Sequence, residues 1–75
     1  MADLSDTQRA AARRAMNRYP SLTVLIERDG ETTRLIPRAS KALVGSAVEV
    51  VGGVTQPNQI ERALELSCIA LMEQG

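Results

Sequence analysis

The sequence predicts a small α+β domain in the order helix, β-hairpin, helix, helix. Two observations support this fold class. Segments with helical spacing of apolar residues lie near both ends of the chain. Between them, an Asp-Gly pair separates two runs rich in β-branched and aliphatic residues, which is typical of a hairpin. With 75 residues, the chain is expected to form a single domain, residues 1–75.

The first helix is predicted over residues 5–18. Ser5 is a suitable N-cap residue, Asp6 suits the first turn, and alanines fill much of the segment. Pro20 is expected to end the helix. On a helical wheel one arc is apolar, and the opposite arc carries four arginines: Arg9, Arg13, Arg14 and Arg18.

The hairpin is predicted over residues 22–37, with strands 22–28 and 32–37. Asp29-Gly30 reads as a two-residue turn, so that Arg28 pairs with Glu31. Alternation then gives a core face with Leu22, Val24, Ile26, Thr33 and Leu35. The second face is mixed and carries Thr23, Leu25, Glu27, Thr32, Arg34 and Ile36.

Residues 39–51 allow two interpretations. Apolar residues recur with helical spacing, and we therefore predict a helix. Three β-branched valines and Gly45 in mid-segment oppose it, so a third strand over residues 46–51 is the alternative. Gly52-Gly53 is expected to end either element.

The last helix is predicted over residues 56–73. Thr55 is the expected cap, and Pro57 suits the first turn. Most of its apolar side chains share one broad arc, but Ile69 and Met72 lie outside it. A helix that is apolar on two sides is usually buried on two sides, which suggests contact with a second subunit.

A homodimer is expected on grounds of size. The chain has one Tyr and no Phe or Trp, and so small a core is only marginally stable alone. The apolar residues left outside the predicted core are the candidate dimer interface: Leu25, Ile36, Ile69 and Met72.

Composition argues against several kinds of chemistry. The chain has no His and one Cys, so we expect no metal site, no cofactor, no small-molecule substrate and no enzyme activity. Cys68 lies on the apolar arc of the last helix and is interpreted as a core residue. The lone Cys and the lack of a signal-peptide pattern lead us to expect a cytoplasmic protein without a membrane segment.

The zero net charge conceals an uneven distribution. Residues 1–41 hold eight basic and five acidic groups, whereas residues 42–75 hold one and four. The arginine arc of the first helix could contact phosphates or an acidic protein surface, or could simply keep the helix soluble.

Residues 32–74 resemble the ribbon-helix-helix repressors, which include plasmid copy-number regulators and antitoxins. The resemblance lies in the strand Thr-Thr-Arg-Leu-Ile-Pro and in the Gly-Val-Thr segment that leads to Ile60, Ala63 and Leu64. It implies an intertwined dimer whose ribbon enters the major groove of double-stranded DNA. Thr32 and Arg34 would then read bases, and Thr55 and Gln56 would bind phosphate at the helix start.

Two further resemblances compete. Residues 5–51 are similar in layout to small phage head-completion proteins, and residues 24–31 and 35–37 are weakly similar to Phd-type antitoxins. Two functions are therefore expected. The leading one is a dimeric DNA-binding regulator of plasmid, phage or antitoxin type, with the arginine arc on phosphate. The alternative is a phage-derived protein–protein interaction module, either an inhibitor of a host protein or a head–tail virion component. It would use the hairpin face and the basic first helix to bind an acidic partner surface, and would bind no DNA.

Overall fold

The computed structural model describes residues 4–74, which form a two-layer α+β domain. Three antiparallel strands lie in the order β1-β2-β3. Both helices contribute to one core with the same face of this sheet. The elements are α1 (Asp6–Asn17), β1 (Thr23–Asp29), β2 (Thr32–Arg38), β3 (Val48–Val51) and α2 (Pro57–Gln74).

Helix α1 begins as the sequence predicts. Ser5 is the N-cap, and its hydroxyl accepts a hydrogen bond from the Gln8 N–H at 3.2 Å. The Gln8 side chain returns the contact by accepting from the Ser5 N–H at 2.9 Å, which completes a capping box. Ala11 and Ala15 are fully buried, and their small side chains let α1 approach α2 closely.

The hairpin forms, but its predicted register is wrong by two residues. Asp29 pairs with Thr32 and Arg28 with Thr33, so Gly30 and Glu31 are the loop residues. Gly30 has a φ of 65°, which a residue without Cβ adopts at little cost. Because side chains alternate with a period of two, the shift leaves both predicted faces unchanged.

The predicted helix over residues 39–51 is wrong, and the alternative of a third strand is confirmed as β3. Val48 and Val50 are buried while Glu49 between them is exposed, which is the period of a strand. The strand propensity of the β-branched valines was therefore the correct indicator here, and the helical spacing was not. The element order is corrected to helix, three strands, helix.

The connection from β2 to β3, residues 39–47, folds back along β2. An isolated bridge joins Arg38 to Val44, and the Gly45 N–H donates to the Pro37 carbonyl at 2.8 Å. A Cβ on Gly45 would lie 3.1 Å from the Pro37 ring and 3.2 Å from the Pro37 oxygen. Glycine at this position therefore permits a close approach of two backbone segments.

Helix α2 packs its inner face on β2 and β3, and the predicted helix over residues 56–73 is confirmed. Thr55, the expected cap, has a different role: its hydroxyl accepts from the Val51 N–H at 2.9 Å and closes the turn before α2. The Ser67 hydroxyl on this helix donates to the Ser46 carbonyl at 2.7 Å. The buried α2 residues are Ile60, Leu64, Ser67, Cys68 and Leu71.

Candidate interaction surfaces

The open face of the sheet carries Thr32 and Arg34, the predicted base-reading residues. Arg34 stands between two acidic residues, with Nη2 3.6 Å from Asp29 Oδ2 and Nε 3.6 Å from Glu49 Oε2. In the sheet register it is also flanked by Glu27 of β1. Its charge is therefore balanced locally by neighbouring carboxylates.

Strand β2, which holds both residues, is the central strand of the sheet. Its backbone pairs with β1 on one side and with β3 on the other. A two-chain ribbon needs a strand with a free edge, and in residues 4–74 only β1 and β3 have one. The ribbon-helix-helix resemblance also implied a helix after this strand, where the structure has β3.

The predicted arginine arc is divided between two environments. Arg14 and Arg18 turn towards α2: Arg14 Nε lies 3.1 Å from Glu61 Oε1, and Arg18 Nη2 lies 2.8 Å from Glu61 Oε2. Arg18 also bonds Glu65. The hydrogen bond from Arg14 and the charges of both arginines hold the pKa of Glu61 below its usual range, against the opposing effect of burial. These two arginines thus connect the helices.

Arg9 and Arg13 face a groove between α1 and β1. The groove has a volume of about 360 Å³. Neither arginine forms an ion pair with a residue between 4 and 74. Arg28 of β1 lines the groove as a third cation. The floor is apolar and consists of Leu4, Ala12, Met16, Val24, Ile26 and Leu35.

The groove exists because neither helix packs closely on β1. Helix α2 lies over β2 and β3, and α1 packs mainly against α2. The helix-facing side of β1 is therefore only partly covered: Val24 is half-buried, and Ile26, on the predicted core face, is 51% exposed.

Strand β1 is also an edge strand, seven residues long, of which all but Val24 are exposed. On its outer side, every second residue presents backbone N–H and C=O groups that β2 does not pair. The side chains of Val24, Ile26 and Arg28 meanwhile point into the groove. Edge and groove thus form one continuous surface.

The predicted phosphate-binding pair at the start of α2 is partly used within the fold. The Thr55 hydroxyl bonds Val51, which is the strand partner of Thr32. The Gln56 N–H donates to the side chain of Gln59 at 3.4 Å. Thr55 therefore lies near the Thr32 end of the sheet, whereas Arg9 and Arg13 lie on its helix side.

The four predicted dimer residues occupy two separate surfaces. Leu25 pairs with Ile36 on the open face of the sheet. Ile69 and Met72 are exposed on α2, on the helix side of the sheet. These pairs cannot belong to a single continuous patch.

Sequence reasoning missed the groove, although a signal for it was present. Alternation placed Arg28 on the same face as Val24 and Ile26, and a cation there marks the limit of the buried area. It also missed Gln8, which is 2% exposed and whose Nε2 donates to the Val51 and Thr55 carbonyls at 3.3 and 2.9 Å. Gln8 at the third helical position, opposite Ser5, was a capping-box signal.

Cys68 is buried as predicted, with its Sγ 3.7 Å from the Met16 Sδ. Burial, and secondarily the charge of Glu65, raise the pKa of its thiol, which lowers its reactivity. Residues 4–74 contain no cluster of His, Cys, Asp or Glu that could hold a metal ion. Nor does a helix in this part of the chain have the length and apolarity to cross a membrane.

Comparisons with protein-family models, curated proteins and solved structures gave no match to this chain.

Proposed function

We propose that this chain is a protein-interaction module. The β1 edge and the α1–β1 groove would bind an extended partner segment that carries apolar and acidic side chains. The observation that carries this proposal is the coincidence of an unpaired strand edge, an uncovered apolar floor and two arginines without ion pairs in residues 4–74. Strand addition at a sheet edge is a common mode of peptide recognition.

Backbone pairing supplies part of the recognition. The outward N–H and C=O groups of β1 would bond a fourth strand in place of water. On that strand, every second side chain would point towards α1 and fill the space above Val24 and Ile26. Burying the exposed half of Ile26 is worth about 1 kcal/mol.

The arginines that line the groove favour a partner with acidic side chains. Arg9 and Arg13 lie one helical turn apart and line the groove together with Arg28. Carboxylates on the bound strand would face the guanidinium groups of Arg9 and Arg13, with which they form charge-assisted hydrogen bonds. Because successive side chains of a strand point to opposite faces, the apolar and acidic side chains must both stand at every second position, so that both face α1.

DNA binding is the competing hypothesis, and the groove supports it less well. Arg14 and Arg18 are occupied by Glu61, and Arg34 stands between carboxylates. The cations that face the groove lie around an apolar floor, which phosphates do not fill. Duplex DNA is therefore the control ligand in the test.

The experiment is an NMR titration of ¹⁵N-labelled protein with a fluorescent peptide of about ten residues, in which every second position is valine or glutamate in turn and the positions between them are threonine. We expect amide shifts at Val24, Ile26 and Arg28, and slower hydrogen exchange at those amides. The other sheet edge, at Glu49 and Val51, should not respond. Anisotropy with the same peptide gives the affinity.

Three comparisons make the titration decisive. Arg13→Glu should weaken binding by about tenfold or more, and Lys41→Glu, outside the groove, should not. A peptide with lysine in place of glutamate should not bind. Shifts spread over Arg34 and Thr32 would refute the groove site. Salt-dependent binding of a duplex in preference to the acidic peptide would support the regulator hypothesis instead.

A further inference from the structure

Helix α2 has a second apolar surface that the fold does not use. Four exposed residues, named here the outer stripe, recur at helical spacing on the side opposite the core: Arg62, Leu66, Ile69 and Glu73. Leu66 is 58% exposed and Ile69 is 38% exposed. The stripe thus has an apolar centre with a cation before it and an anion after it.

Neither charged residue of the outer stripe is used within the fold. Arg62 and Glu73 form no ion pair with another residue in the described part of the chain. The neighbouring carboxylates Glu61 and Glu65 point towards α1 and are taken by Arg14 and Arg18.

We infer that the outer stripe pairs antiparallel with the outer stripe of a second copy of this chain. In that register Leu66 faces Ile69 of the other copy, and Arg62 faces its Glu73. Each of these contacts occurs twice by two-fold symmetry. Two ion pairs, about 16 Å from each other along the helix at about 1.5 Å per residue, would flank four apolar side chains.

Charge complementarity selects the direction of pairing. A parallel pair would place Arg62 against Arg62 and Glu73 against Glu73, so both ends would repel. The antiparallel pair makes both ends attractive. The same sequence therefore specifies a closed two-fold dimer and disfavours the other orientation. This surface is distinct from the α1–β1 groove, so the inference does not depend on the proposed function.

Sedimentation equilibrium over a concentration series tests the dimer. The wild-type chain should show a monomer–dimer equilibrium. Leu66→Asp should raise the dissociation constant by about 100-fold, because it places a charge in the apolar centre. Val54→Asp, at a residue that is 69% exposed and outside the stripe, should leave the equilibrium unchanged. Circular dichroism and thermal melting would check that each variant folds.

Charge reversal tests the register. Arg62→Glu alone and Glu73→Arg alone should each weaken self-association by about tenfold, since both ends then repel. An equimolar mixture of the two variants should recover wild-type association, because every facing pair is again of opposite charge. A chain that stays monomeric up to millimolar concentration would refute the inference. So would a dimer that survives Leu66→Asp, or single reversals without effect.

Discussion

Replacing Gln8 by alanine should destabilise the fold far more than its place in a surface helix suggests. Its side chain makes three hydrogen bonds: from Nε2 to the Val51 and Thr55 carbonyls at 3.3 and 2.9 Å, and at Oε1 from the Ser5 N–H at 2.9 Å. Each is worth about 0.5–1.5 kcal/mol net, and both carbonyls lose a protein donor. We therefore expect a loss of about 2–4 kcal/mol.

That loss is large relative to the total unfolding free energy of the chain. At about 0.05–0.15 kcal/mol per residue, a chain of 75 residues has an unfolding free energy of roughly 4–11 kcal/mol. Urea unfolding followed by circular dichroism measures the difference from the midpoint and slope. The slope should stay constant, because the same surface is exposed on unfolding.

Two control variants separate the contributions. Ser5→Ala removes the cap alone and should cost about 1 kcal/mol. Gln59→Ala changes a glutamine whose one bond, to the Gln56 N–H, is exposed and 3.4 Å long, and should cost less than about 0.5 kcal/mol. If Gln8→Ala costs no more than Ser5→Ala, then the Gln8 side chain does not stabilise the fold by joining α1 to the turn before α2.

Three further predictions concern other contacts of the fold. The unfolding free energy should fall as pH drops below about 4.5, because the folded-state pKa of Glu61 is lowered and its carboxylate stabilises the fold above that range. Glu61→Gln should flatten this pH dependence, and a profile equal to that of the wild type would refute the ion-pair account. The Cys68 thiol should react with an aromatic disulfide reagent only as fast as the chain opens, so native labelling as fast as in urea would contradict its burial. In urea unfolding, Gly45→Ala should lower the unfolding free energy by about 1–3 kcal/mol, because the added Cβ would lie 3.2 Å from the Pro37 backbone oxygen. Ser46→Ala should lower it by under about 0.5 kcal/mol, and equal costs would rule out the steric explanation.

The segment 39–51 shows why the sequence alone was misleading there. Its apolar spacing fits a helix, and the spacing of a short segment does not show which neighbour buries it. Val48 and Val50 are buried because β3 pairs with β2 and α2 covers that side of the sheet. Both conditions depend on contacts with residues that are distant in the chain, and they decided that this segment forms a strand.

The candidate site was predictable only in part. The helical wheel placed Arg9, Arg13, Arg14 and Arg18 together, and spacing along one helix cannot show which of them meet a neighbouring helix. Packing of α1 on α2 assigned Arg14 and Arg18 to Glu61 and left Arg9 and Arg13 beside β1. That division depends on side-chain directions at distant positions in the chain.

The sequence by itself determined the local features of this protein. These are the cap at Ser5, the hairpin with its two faces, the long last helix and the burial of Cys68, since each depends on residues close in the chain or on one apolar arc. Only the tertiary structure decided the third strand, the uncovered side of β1 and the division of the arginines. Those features depend on where the two helices lie over the sheet, which is set by packing between residues that are distant in the chain.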